Sequence, residues 1–73
     1  MLVKIITDKN FPDHKWEIYK KSEDKYYIKF YEFYTSCGWR LICTDGGDTQ
    51  GYFHSKASIE AEFNTKIIEE EDE

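Results

Sequence analysis

The sequence predicts an α+β domain: a four- or five-stranded antiparallel meander sheet with one C-terminal helix packed on one face. Two observations carry this. Runs of β-branched and aromatic residues between positions 2 and 44 are separated by short polar or glycine-bearing breaks, which is how consecutive antiparallel strands read. After them comes a single stretch of helical spacing, opened by a serine, over residues 56–64.

The first strand is Leu2 to Thr7, LVKIIT. Asp8-Lys9-Asn10 ends it, and a loop carrying Pro12, the only proline, extends to about His14. Trp16 and Ile18 alternate with Glu17 and Tyr19, giving a second strand over 15–20. Ser22-Glu23-Asp24-Lys25 is polar and supplies a hairpin turn. Tyr26 to Thr35 contains no breaker and forms the third and longest strand. Gly38 supplies the positive φ that a tight turn after Ser36-Cys37 often needs. WRLICT, residues 39–44, is the fourth strand. The stretch 45–51 is a loop by composition, and Tyr52-Phe53 offers a short fifth strand.

Ser55 is suited to cap the helix, and Glu60 and Glu62 are taken as early enough to suit its dipole. Ile59 and Phe63 are four apart, so both fall on the face that anchors the helix to the sheet. Thr65 to Ile68 fits either a continuation of the helix or an edge strand. The chain divides into one domain over 1–68 and an acidic tail over 69–73, whose composition predicts disorder.

A chain of 73 residues holds one domain whose core supplies only about 3 to 5 kcal/mol. Thirteen aromatic residues provide part of the extra burial, at roughly 150–250 Å² each, and a dimer interface would provide more. No apolar run approaches the roughly 20 residues that span a bilayer. Asp8 interrupts the N-terminal apolar stretch where a signal peptide would continue. These features predict a soluble, cytoplasmic protein with no membrane contact. Two cysteines are too few for a disulfide scaffold, and a strand over 37–43 would hold them roughly 20 Å apart, so both are expected as free thiols.

The net charge of −5 is uneven. Residues 1–68 carry ten basic and ten acidic side chains, and Glu69, Glu70, Glu71, Asp72 and Glu73 make up the whole excess. Within the body, residues 1–31 are net +2 and residues 32–68 net −2. Basic surface is therefore expected from the N-terminal half.

Strand alternation divides the side chains between two faces. Tyr26, Ile28, Phe30, Glu32 and Tyr34 fall together, and their apolar content places them under the helix with Trp16, Ile18, Leu41 and Cys43. The opposite face then carries Lys15, Tyr19, Tyr27, Lys29, Tyr31, Phe33 and Arg40. Such a face suits a protein partner or a second copy of the chain. Aromatic rings interleaved with cations also suit single-stranded nucleic acid, where each stacked base contributes about 1–3 kcal/mol. Tyrosines on a half-exposed strand are common without either role, and an acidic tail disfavours nucleic acid.

Residues that could carry chemistry give weaker signals. Asp45, Asp48, Thr49 and Gln50 surround glycines, but the alternating ligands and closing glutamate of a calcium-binding EF-hand loop are missing. His14, Cys37, Cys43 and His54 lack the short-spaced pairs of a zinc site. Cys37 or Ser36 would need His14 or His54 beside it to act as a nucleophile, and no spacing favours that. GGDTQG lacks the lysine of a phosphate-binding loop. The sequence thus predicts a protein that is not an enzyme and takes no cofactor or metal. Glu60, Glu62, Glu69, Glu70 and Glu71 form a candidate acidic side, which with Asp45 and Asp48 would suit an acidic, DNA-mimicking inhibitor of a DNA-binding protein.

The order WEIYKKSEDKYYIKFYEF, then GWRLI, then GYFHSKASIEAEF resembles one repeat of the YegP-like family, in which three antiparallel strands precede a helix. Gly51-Tyr52-Phe53 leading into Ser55-Lys56-Ala57 carries the likeness best. The chain departs from that pattern in its extra N-terminal strand, in Cys37-Gly38-Trp39 where an asparagine-glycine turn is expected, and in having one copy where members often have two. The resemblance implies a homodimer that supplies the second copy, and it transfers no catalytic residue. The leading expectation is a small protein-interaction module, homodimeric through its aromatic face, with single-stranded nucleic-acid binding as the alternative.

Overall fold

The computed structural model describes residues 1–68, so the expectation of a disordered tail and the acidic positions Glu69, Glu70 and Glu71 lie outside the described residues. The fold is the predicted α+β meander. Strands β1 (Leu2–Asp8), β2 (Phe11–Ser22), β3 (Lys25–Tyr34) and β4 (Gly38–Asp45) form one sheet in the order β1-β2-β3-β4, and helix α1 (Lys56–Phe63) follows. Every neighbouring pair is antiparallel.

Each connection has a local cause. Between β1 and β2 only Lys9 and Asn10 lie outside the strands, and the Asn10 amide donates to Asp8 Oδ1 at 2.9 Å, an Asx-type closure. β2 therefore begins at Phe11, not at Lys15 as the proline suggests. Pro12 is tolerated because it falls where the β1–β2 register shifts, between the Thr7–Lys15 and Asp8–Phe11 pairs, so its missing N–H costs no regular ladder bond. Between β2 and β3 the turn is Glu23-Asp24, with Asp24 at φ 57°. Asp24 Oδ1 also accepts the Lys56 amide at 2.9 Å, tying this hairpin to the start of the helix. Gly38 follows the β3–β4 turn at φ 79°.

The expected fifth strand does not form. Tyr52 and His54 make only isolated bridges, to Gly47 and to Tyr26. Gly46 and Gly47, at φ 93° and 106°, fold the chain back here, and no segment is left long enough to extend a ladder.

Ser55 caps the helix as its hydroxyl position predicts, accepting the Ser58 amide at 3.1 Å. Asn64, in the left-handed conformation at φ 51°, ends it. The first turn holds no acidic residue. Glu60 instead turns back to accept the Ile67 amide at 2.8 Å, which pins the segment after the helix. Residues 65–68 are neither helix nor strand.

The core sits under the helix at one end of the sheet. Ile18, Tyr26, Ile28, Ile59 and Ile67 are buried there, with Val3, Ile6, Trp16 and Phe63 packed around them. Phe63 meets Trp16 at 5.9 Å between ring centroids. An eight-residue helix is only about 12 Å long, whereas the molecule extends 40 Å along its longest axis. One layer of helix thus covers part of one face. The other face has no helix or second sheet over it among the described residues; only the loop of Gly46 and Gly47 lies against it, at Tyr27.

Candidate interaction face

The central ladder sets which side chains share the open face. Cross-strand partners fall on the same side of a sheet. In β2 and β3 those partners are Lys15 with Tyr31, Glu17 with Lys29, and Tyr19 with Tyr27. β1 adds Leu2 beside Tyr19, Ile5 beside Glu17 and Thr7 beside Lys15. β4 adds Trp39 beside Phe33, Leu41 beside Tyr31 and Thr44 beside Lys29. The structure therefore brings six of the seven predicted residues together: Lys15, Tyr19, Tyr27, Lys29, Tyr31 and Phe33.

Arg40 does not join them. The β3–β4 register shifts between the Phe30–Cys43 and Tyr31–Leu41 pairs, leaving Ile42 as an extra residue in β4. One inserted residue inverts every side chain on one side of it. Arg40 consequently pairs with Glu32 on the helix side, 5.9 Å over the Tyr34 ring. By the same inversion Leu41, expected under the helix, lies on the open face, while Cys43 stays on the helix side.

At the centre of the open face is a compact charged cluster. Tyr19 donates its hydroxyl hydrogen bond to Glu17 Oε1 at 2.6 Å, and Lys15 Nζ lies 3.1 Å from Glu17 Oε2. Tyrosine and glutamate two apart on a strand point the same way, so Tyr19 reaches back along its own strand; Tyr34 does the same to Glu32 at 2.8 Å on the other face. Desolvation pushes the Glu17 carboxyl upward, but the Tyr19 hydroxyl and Lys15 together outweigh it and hold the group below its ordinary value. The Glu17 carboxylate in turn pushes the Tyr19 hydroxyl well above the usual tyrosine range.

The lysines are spent on rings as well. Lys15 Nζ lies 4.7 Å from the Trp39 ring centroid and 5.2 Å from that of Tyr31, and Lys29 Nζ lies 4.9 Å from that of Tyr19. Tyr19 and Tyr27 stack on each other at 5.2 Å and 10°. Around this cluster Leu2, Ile5, Phe33, Trp39 and Leu41 are each 41–50 % exposed. The result is a face whose polar centre holds one closed ion pair and one lysine resting on a ring, with a broad apolar surround.

Sequence reasoning did not place Trp39, Ile5 or Leu41 on this face, and it set Glu17 beside Tyr19 by alternation without counting it in the site. Trp39 was within reach: the Tyr34–Gly38 pair closes the β3–β4 turn, and counting outward from it matches Phe33 with Trp39. The bulge that moves Leu41 has no comparable signal.

The remaining candidates are dispersed. Asp48 pairs with Lys21 at 2.9 Å. The Tyr52 hydroxyl donates to Asp45, and His54 Nε2 lies 3.2 Å from Asp45 Oδ2, so the Asp45 carboxyl is held below its ordinary value, first by Tyr52. The Gln50 amide accepts the Gly46 N–H at 2.9 Å and donates to the Thr44 carbonyl, closing the loop. His14 pairs with Glu32 at 3.4 Å and stacks on Phe11. Cys37 and Cys43 are both free and exposed. Among the described residues no three metal-ligating side chains gather, and no helix is long and apolar enough to cross a membrane. Of the acidic side, Glu62 is exposed, whereas Glu60 is taken by the Ile67 amide.

Comparison with protein-family models, with curated proteins and with solved structures finds no match for this chain.

Proposed function

We propose that the protein is a small interaction module that associates with a second copy of itself through the open sheet face. The observation that carries this reading is the Lys15–Glu17–Tyr19 cluster. Its charges are paired before any partner arrives, and of the cations named on the face only Lys29, held over the Tyr19 ring, has no carboxylate beside it. The apolar residues around it gain burial at roughly 25 cal/mol per Å². Four strands about 4.8 Å apart and some eight residues long present roughly 500 Å² in projection. Protruding side chains raise the accessible area toward the roughly 800 Å² per partner of a standard interface.

The cluster also disfavours a nucleic-acid platform. A phosphate backbone would meet the Glu17 carboxylate at the centre of the face, and the Tyr19 and Tyr27 rings already use their faces on one another. Fluorescence anisotropy of a labelled single-stranded oligonucleotide at low salt tests this directly. The proposal expects no uptake. Uptake that falls steeply with added salt would replace it with the nucleic-acid reading.

A further inference from the structure

The open face has a part-exposed aromatic pair at one end and a hollow beyond it. The pair is Phe33 and Trp39 beside the β3–β4 turn, rings edge to face at 5.4 Å and 43 % and 41 % exposed. The hollow is a cleft of about 640 Å³ lined by Tyr27, Lys29, Leu41, Ile42, Thr44 and Gly47, among others. Gly47 forms its back wall because the loop runs against the Tyr27 ring; a Cβ there would lie 3.6 Å from Tyr27 Cγ. Tyr27 and Phe33 are six residues apart on one strand, so the far wall of the cleft is about 20 Å from the pair, while its near wall, Leu41, is two residues from Trp39.

We propose that in the dimer each copy seats its Phe33–Trp39 pair in the other copy's cleft, about a twofold axis passing near Lys29 and Tyr31. This rests on the self-association proposed above and specifies its geometry. An isologous interface makes every contact twice, so a face that carries a knob and a hole on opposite sides of its midpoint is complementary to itself. The chemistry matches too. Tyr27, Leu41 and Ile42 give the cleft apolar walls for an incoming aromatic pair, and its charged lining is already engaged, Lys29 on the Tyr19 ring and Lys21 with Asp48. Glu17 lies next to the axis, and each copy's Lys15 neutralises its own.

The test places a benzophenone amino acid at Trp39, which keeps an aromatic knob, and irradiates a mixture of isotope-labelled and unlabelled chains. Only adducts joining a labelled to an unlabelled chain are scored. Knob-into-cleft seating predicts attachment to Tyr27 or to residues 41–50 of the other copy. Thr44→Trp, which fills the cleft without touching the core, is expected to raise the dimer dissociation constant at least tenfold while the circular dichroism spectrum stays that of the wild type. Inter-chain adducts confined to the other copy's Trp39 region or to β1 would overturn this geometry and leave self-association standing, as would an unchanged dissociation constant in Thr44→Trp. A protein that sediments as a monomer throughout would overturn both.

Discussion

At the scale of single residues, hydroxyl-to-carboxylate bonds recur: Tyr19 to Glu17, Tyr34 to Glu32 and Tyr52 to Asp45. Two of these carboxyls, Glu17 and Asp45, are held below their ordinary values in the folded state. A depressed folded pKa adds stability above the unfolded pKa and loses it as pH falls through the folded value. Urea midpoints should therefore decline as pH drops below about 4. Glu17→Gln should flatten part of that decline and Asp45→Asn another part; a wild-type profile retained in both variants would contradict the assignment. Packing gives a second prediction. Ile59 is 0 % exposed and is the helix's buried anchor, so Ile59→Ala should cost about 2–5 kcal/mol in urea unfolding.

At the scale of elements, the caps and turns decide where strands and helix stop. Ser55→Ala should lower stability by about 1 kcal/mol, and Ser55→Asp should retain it, because only the second keeps an acceptor for the Ser58 amide. Gly46→Ala should be destabilising by about 1–3 kcal/mol, since φ is 93° and the new Cβ would lie 3.1 Å from the Tyr52 carbonyl. These devices also explain what the sequence shows and what it hides. Alternation from Trp16 to Tyr19 and from Tyr26 to Phe33 reads directly, because β2 and β3 keep one register from the His14–Glu32 pair to the Lys20–Tyr26 pair. Their face assignments are correct residue by residue. Ser55 and the Ile59–Phe63 spacing likewise announce the helix. Across the bulge at Ile42 alternation fails, so Arg40 and Leu41 exchange faces while nothing in WRLICT marks the insertion. Pro12 misleads for the same reason: irregular pairing accommodates a residue that a regular ladder would exclude.

At the scale of the whole molecule, one short helix covers one end of one sheet face, and the consequence is exposure. Leu2, Ile5, Phe33, Trp39 and Leu41 remain at the surface of a chain whose buried core comprises Ile18, Tyr26, Ile28, Ile59 and Ile67. For so small a core, association through the open face adds to stability as well as to function. The thermal midpoint should accordingly rise with protein concentration, and Phe33→Ser should remove that dependence. Added salt should weaken the association little, because Lys15 and Glu17 are already paired within each copy and Lys29 rests on the Tyr19 ring. Sedimentation equilibrium over a wide concentration range tests the central claim most directly. The account predicts a mass rising from that of the 8.8 kDa chain to twice that value, with Phe33→Ser remaining monomeric and folded. A wild-type protein that stays monomeric at every concentration would contradict it.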